Sequence, residues 1–476
     1  MYRTALLLLI LLAGCFKVGP EYEPPEVCAP DNWKAPQTCG CQANADDFEF
    51  WWEVFEDPIL NQLEAAAVEN SPTLEFSLQK VAMARAQALE AASALYPNIA
   101  LNPSYQDIGQ LFRIFLPPGV SLPGLTPNAL IYRIHQFLYY LPITMNYEVD
   151  LWGKISGQVE YQVANLEASQ YALESSLLTL TSDLASNYYQ LRALDSQIQV
   201  IIRTIETRKT DYNLTKSRYE KGIGSRLDLS NAELELANAE ALLFDAKRQR
   251  ALLEDLIATL AGIPASDFCL ASNPLTLPPP CIPADLPSDV LLQRPDLAEL
   301  ERQTAASHAL IGIAYTSFFP SLSLTGIVGY SSPVLKDFLR WRSRYWQMAA
   351  QSNQTIYDAG YNCATVEEAY AQFYAASAQY QQQVLTAFQE VEDALNSIEF
   401  LAGQYDSLQK AVNAAQLSSK LVTNRYKNGL VNFYDVVISD RAELSAEQQL
   451  YIGLGERYIA TVQLIKALGG TWECHN

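Results

Sequence analysis

The chain has 476 residues, of which 49% are apolar and 18% charged, so a disordered polypeptide is excluded. Its formal net charge of −21 suits no protein that must hold nucleic-acid phosphates. Mean hydropathy is −0.03 and no run of about 18 apolar residues occurs, which excludes an ordinary polytopic helical membrane protein.

The N-terminus reads as an export signal. Arg3 supplies a positive start, and Ala5 to Leu12 is an apolar stretch too short to remain as a spanning helix. Leu12-Ala13-Gly14-Cys15 resembles a bacterial lipobox. In such signals the bond before the cysteine is cut and the new terminus is acylated. Residues 1–14 are therefore the expected signal peptide and Cys15 the expected lipidation site; an ordinary signal with an incidental cysteine is the alternative. Loss of Arg3 makes the mature chain one charge more negative. Phe16 follows, not the Asp that by resemblance would retain a lipoprotein in the inner membrane. Residues 15–56 form an N-terminal extension.

Next comes 71–97, an amphipathic helix opened by Pro72 and closed by Tyr96-Pro97. Period-two alternation follows: Ile99, Leu101 and Tyr105 against Asn98, Asn102 and Ser104. The strongest strand is 136–151. Phe137, Tyr139, Leu141, Ile143, Met145, Tyr147, Val149 and Leu151 hold one face; Gln136, Thr144, Asn146, Glu148 and Asp150 hold the other.

Between Pro142 and Pro264 there is no proline. One heptad seam runs Val163, Gln170, Leu177, Leu184, Leu191, Ile198, Ile205, Tyr212, and the other Leu166, Leu173, Leu180, Asn187, Leu194, Ile201. After the Gly222-Ile223-Gly224 break, Leu229, Leu236 and Leu243 alternate with Ala232, Ala239 and Ala246. Residues 156–262 thus read as an antiparallel helical hairpin, its first arm about 100 Å long at 1.5 Å per residue.

A Pro-rich connector, 265–293, leads to a second set of the same elements. Residues 294–320 align without gaps to 71–97, and Leu322, Leu324, Val328 and Tyr330 alternate with Ser321, Ser323 and Thr325. A fourth strand near 345–357 is expected by symmetry. No proline follows Pro333, and new seams run through Phe373, Tyr380, Ala387, Ala394 and through Val384, Val391, Ile398, Tyr405, Val412 to a break at Gly429. Arg218, Tyr219, Gly222 and Asp228 recur as Arg425, Tyr426, Gly429 and Asp435. The chain is an internal duplication, 57–264 and 294–470 with hairpin tips near 221–227 and 428–434, ending in a tail at 471–476.

The strands are long enough to cross a membrane when tilted, with Tyr and Trp near their ends as an interface girdle has. An amphipathic sheet in a soluble domain is the alternative. Four strands cannot close a barrel in lipid, because an open edge leaves backbone groups unpaired. Two copies or three would complete it; periodicity leaves both open. The sequence holds 3 histidines and no His-x-x-x-His pair, phosphate loop or Gly-x-Ser-x-Gly elbow, so neither an enzyme nor a cofactor is expected.

Several stretches carry a family resemblance: CFKVGPEYEPPEV at 15–27, FWWEVFEDPILNQL at 50–63, YEVDLWGKI at 147–155, LPSDVLLQRPDLAELE at 286–301, IYDAGYNCATVEEA at 356–369, AFQEVEDALNSI at 387–398, and both tip motifs. In that order they resemble the TolC-like outer-membrane efflux factors, in the NodT-like lipoprotein branch. The resemblance implies a mainly α fold with a transmembrane β-barrel portion. Long coiled-coil hairpins form a helical barrel, and four strands per chain complete a 12-stranded barrel in a homotrimer. It implies an exit duct, lipid-anchored in the outer membrane, fed by an inner-membrane pump and a periplasmic adaptor. Gly222, Ser225, Leu227, Gly429 and Leu430 would dock the adaptor, and Asp228 and Asp435 would line the aperture. A plainer reading makes both carboxylates helix N-terminal charges that favour the macrodipole. An Arg found two residues after the second tip glycine in some relatives is Val431 here, and the Arg usual after Asp-x-Gly is Tyr361. A secretion conduit served by an ABC-type pump and a non-conducting envelope lipoprotein are the alternatives.

Export permits disulfides. Cys28, Cys39, Cys41, Cys269 and Cys281 depart from the family pattern, and a Cys269–Cys281 bridge closing a short connector loop is expected. Cys363 and Cys474 have no assigned partner. Cys39-Gly-Cys41 has no nearby histidine, and no metal site is expected.

Overall fold

The computed structural model describes residues 17–25, 30, 33–34, 50–114, 130–282 and 294–470. The signal segment, Cys15, Cys28, Cys39, Cys41 and Cys474 lie outside them. Seven α-helices and five strands are formed among the described residues. In chain order they are α1 (Pro58–Asn70), α2 (Pro72–Ser93), β1 (Asn98–Leu101), β2 (Ser104–Ile114), β3 (Leu130–Val149), α3 (Lys154–Glu220) and α4 (Arg226–Leu260). Then follow α5 (Pro295–Thr316), β4 (Ser321–Ser332), β5 (Arg344–Asn353), α6 (Tyr361–Lys427) and α7 (Phe433–Ala467). Among the described residues no helix is long and apolar enough to cross a membrane. The chain groups into two units, one comprising 1–24, 83–166 and 302–377, the other 25–82, 167–301 and 378–476.

The first unit holds the sheet, in the order β1-β3-β4-β5 with β2 also on β3. All pairs are antiparallel. β1 and β2 meet β3 in one register, Leu101 opposite Ile143 and Ser104 opposite Tyr140, so together they fill one strand position. Pro103 causes the interruption because it brings no N–H to the ladder. Four positions therefore stand where four strands are expected, and the fourth, expected by symmetry, is present as β5. The register places Ile99, Ile143 and Val328 with Trp346 on one face; Asn98, Asn146 and Thr325 lie on the opposite one. Pro142 sits within the central strand β3, a position prolines normally avoid. Gly329 opposite it makes this fit, since a Cβ there would stand 2.1 Å from the Leu141 carbonyl oxygen.

Each long helix leaves the sheet through an aspartate cap. Asp150 accepts from the Ile155 and Ser156 amides at 3.1 and 2.8 Å. Asp358 does the same for Gly360 and Asn362 at 2.9 and 3.0 Å. An N-terminal strap, 17–24, lies on this unit. The Val18 amide donates to the Trp152 carbonyl at 3.2 Å, Lys17 pairs with Glu160, and Tyr22 packs on His308. Gly19 and Gly312 touch backbone to backbone, with a Cβ on Gly19 only 2.9 Å from the Gly312 Cα.

The second unit is built on the heptad seams. Leu180, Leu184, Leu191, Leu194 and Ile201 of α3 are buried, as are Tyr380, Val384, Ala387, Val391 and Ala394 of α6. On α4 the buried seam is the small one, Ala232, Ala239 and Ala246. Helix α1, inside the first repeat and ahead of its expected helix at 71–97, is an addition to the expected plan. Asp57 caps it, accepting from Ile59 and Leu60 at 2.9 and 3.3 Å, and the Tyr188 hydroxyl donates to the same carboxylate at 2.6 Å.

The Cys269–Cys281 bridge is not formed: Cys269 is a free, exposed thiol and Cys281 is disulfide-bonded elsewhere. Side chains of the helices hold the intervening chain extended. The Leu270, Asn273 and Leu275 amides donate to Glu254, Asp195 and Ser196 at 2.5, 3.0 and 2.9 Å, and Tyr458 donates to the Leu277 carbonyl at 3.1 Å. Pro278-Pro279-Pro280 then stiffens the approach to Cys281. A segment laid out in this way cannot fold back on itself.

Glu64 on α1 is fully buried and neither carboxylate oxygen has a partner. Burial pushes its acid dissociation well above the ordinary glutamate range. The folded state keeps a proton that the unfolded chain releases, so stability falls as pH rises from the ordinary glutamate value through the folded one. Glu64→Gln is expected to melt higher than wild type at alkaline pH and to lose that advantage in acid. A melting difference that is the same at pH 5 and pH 9 rejects the neutral carboxyl.

Candidate functional site at the hairpin turns

Both helix turns end in the same way. Gly222 donates to the Tyr219 carbonyl at 2.9 Å and Ile223 to Arg218 at 3.0 Å; Gly429 donates to Tyr426 at 2.9 Å and Leu430 to Arg425 at 3.0 Å. These are paired Schellman closures, and they require the left-handed backbone that the two glycines adopt at φ +76° and +72°. The returning helices start on Ser225, which accepts from the Leu227 amide at 3.1 Å, and on Asn432. Asp435 accepts from the Asn432 amide at 3.2 Å, one arm of a capping box, and Asp228 stands at the same third position of α4. The plainer capping role is thus realised at Asp435.

The turns present apolar side chains to solvent. Ile223, Leu227, Leu430 and Tyr434 are between 62% and 75% exposed. Behind them a small core forms from Ala232, Tyr426, Phe433, Val436 and Val437, with Val422 and Val431 against it. Val431 is therefore a packing residue. Arg218 supplies a different tie between the hairpins: its guanidinium lies 4.7 Å from the Tyr426 ring centre and donates to the Lys427 carbonyl at 3.4 Å.

A buried charged cluster lies further along the helices and was absent from the sequence reading. Glu235 of α4 pairs with Arg208 of α3 and with Arg441 of α7, the latter through Nε at 3.0 Å. Burial pushes the Glu235 carboxyl up, but the hydrogen bonds and charges of Arg441 and Arg208 outweigh it and hold the group below the usual range. Asp211 and Asp440 face the same space. Burial and the Asp440 charge raise Asp211 to about 6, against the pull of Lys427 and Arg208. The sequence did carry a signal for this cluster. One heptad past Ile201 the seam meets Arg208, and one heptad past Val412 it meets Ser419, both buried.

Known proteins resemble this chain over nearly its whole length. The family model for outer membrane efflux proteins matches residues 64–262 and 286–470. A toluene efflux pump outer membrane protein of Pseudomonas putida, TtgC, is 29% identical over 97% of this chain and 94% of its own length. The probable outer membrane lipoprotein SilC of Salmonella typhimurium is 26% identical over 98% and 97%. Among solved structures, the outer-membrane channel OprN has a TM-score of 0.86 at 27% identity, covering 96% of this chain and 99% of its own. The open state of the Neisseria gonorrhoeae MtrE outer membrane channel has a TM-score of 0.82 at 27% identity over 96% and 99%.

An added Cβ meets nothing within 4 Å at Gly222 or Gly429, so Gly→Ala there acts through backbone strain alone. At about 1 kcal/mol each, the Ile223 and Leu430 amides are expected to exchange hydrogen about fivefold faster in Gly222→Ala and Gly429→Ala respectively. Unchanged exchange in both variants refutes the closures.

Proposed function

Because the chain belongs to the outer membrane efflux protein family, we infer that it is the exit duct of a tripartite efflux system, conducting substrates passively from an inner-membrane pump and a periplasmic adaptor to the exterior. The observation that carries this is the sheet: an apolar and a polar face in one register, with the outer edges of both edge strands, β5 and β1/β2, unpaired among the described residues. A lipid-facing sheet cannot keep open edges, so β5 of one copy pairs with β1/β2 of the next. Three copies supply twelve strand positions, and a homotrimer is the assembly proposed. The apolar face meets lipid and the polar face lines water.

The hairpin turns are the periplasmic end. Their exposed Ile223, Leu227, Leu430 and Tyr434 offer the adaptor an apolar footing, and Gly222, Ser225 and Gly429 fix the geometry of that surface. Asp228 and Asp435, at the starts of the returning helices, ring the aperture in three copies each. The lipobox-like Leu12-Ala13-Gly14-Cys15 supports acylation of Cys15, in keeping with the lipoprotein named among the relatives. The strap that begins at Lys17 then ties the anchored terminus to the sheet unit. Cys15→Ser is expected to abolish palmitate labelling and to leave residues 1–14 attached; an intact Met1 on wild-type protein from outer membranes rejects the anchor.

The net charge of −21 and the aperture carboxylates favour cations in a water-filled path, more so at low salt. Full-length protein in planar bilayers is expected to give step conductances with cation preference across a salt gradient. Asp228→Asn combined with Asp435→Asn is expected to weaken that preference. Absence of any step conductance overturns the duct, and identical reversal potentials in wild type and double variant overturn the aperture assignment.

A further inference from the structure

The seams of α3 and α6 stay largely apolar over most of their length and then turn polar before the tips. There Glu235 of α4 accepts from Arg208 on its own hairpin and from Arg441 on the other. Arg208 and Glu235 are each 7% exposed at the side chain, and Arg208 also donates to the Glu235 backbone carbonyl at 2.8 Å. Arg441 is 57% exposed and reaches in from the rim. Arg208, Asp211 and Glu235 share a cavity of about 10 Å³ with Asp440, Phe433 and Val437. That is about the room one water needs.

We propose that Glu235, held by Arg208 on its own hairpin and Arg441 on the other, is the lock between the two hairpins, and that the facing carboxylates of Asp211 and Asp440 set its strength by the proton they hold. Asp211 faces Asp440 of α7, Lys427 of α6 and Arg208 of its own helix. Asp440 accepts from Ser419 of α6 at 2.9 Å and faces Glu443, Arg208 and Glu235. With both aspartates ionised, two like charges confront each other across the hairpin interface beside a third carboxylate. One proton between them converts that repulsion into neutrality or a shared hydrogen bond.

The sign follows from the direction of each shift. Asp211 dissociates near pH 6 when folded, so the packing of α3 against α7 is strengthened in acid and loses that strength as pH rises through about 6. Glu235 is displaced the other way, and its tie is lost only as pH falls below the ordinary glutamate range. The lock is therefore tightest in mild acid and looser at neutral and alkaline pH.

Gating by this lock rests on the duct reading, whereas the lock itself can be measured without conduction. Spin labels at Ile223→Cys and Leu430→Cys, in the full chain carrying Cys269→Ser and Cys363→Ser with any other free thiol blocked, report the separation of the two turns. Labelled chains are diluted into excess unlabelled protein so that distances within one copy dominate. The distance distribution is expected to be narrow at pH 5.5 and broader at pH 8. Arg441→Ala is expected to be broad at both, Arg441→Lys to restore the narrow state, and Asp211→Asn with Asp440→Asn to abolish the pH response. Because Arg441 is half exposed, its variants test the lock without emptying the core. An unchanged distribution in Arg441→Ala, or a full pH response in the double aspartate variant, overturns the proposal. Bilayer recordings of the same proteins test conduction separately: a silent wild type counts against the duct and leaves the distance result standing.

Discussion

A β-strand at the edge of a sheet carries a row of unpaired amides and carbonyls, and hydrocarbon offers them nothing. This constraint governs the first unit. Among the described residues one chain contributes four strand positions, β1 with β2, then β3, β4 and β5, with an open edge on each side. Such a sheet is stable in water only if other elements cover it, and in lipid only if another copy continues it. The register makes the second solution workable, because apolar residues such as Ile143, Val328 and Trp346 share one face while Asn98, Asn146 and Thr325 share the other. Assembly is thus a condition of the membrane-spanning part and not a later refinement.

The long helices obey a different rule, and it is the rule most visible in the amino-acid order. A seven-residue repeat marks the apolar seams of each long helix, and Leu184, Leu191, Ala232, Ala239, Val384 and Val391 on those seams are buried. Both glycine breaks, the aspartate caps and the paired Schellman closures follow from local chemistry that a single sequence displays. Strand boundaries were less exact. β3 begins at Leu130, ahead of the alternation at 136, because pairing with β2 continues beyond the part of the sheet that β4 reaches.

What the sequence hid depends on partners distant in the chain. Helix α1 was not set apart within the first repeat, whose expected opening helix is 71–97, yet Asp57 and Tyr188, 131 positions apart, join it to α3. Proximity suggested Cys269 and Cys281 as partners, but hydrogen bonds to Asp195, Ser196 and Glu254 hold the chain between them extended. The charged cluster was missed for a related reason. Arg208 and Ser419 sit at seam positions where an apolar residue is the default expectation, and a seam followed only through its apolar members ends one step early.

Those polar seam positions need a physical reason, because burying an ion pair brings little net stability and an apolar replacement of like volume often does better. A leucine seam carried to the turns would join the hairpins more firmly and without regard to pH or charge. Glu235 with Arg208 and Arg441 makes a bond that depends on every partner being present and ionised. Removing Glu235 leaves the buried Arg208 charge uncompensated, at a cost of about 3–5 kcal/mol. The interface is therefore held by contacts whose strength depends on charge, which an apolar seam does not. The duplication supports the same view. The two turns share their glycines, arginines and tyrosines, but Tyr426 is buried beneath Arg218 while its counterpart Tyr219 is 36% exposed. One hairpin is fastened to the other by side chains that its own repeat does not use in return, so the two need not move as equals. A duct that must close when idle and open on contact with its partners requires such an interface near its end, and an end held by ionisable groups can be released by changes too small to disturb the apolar seams behind it.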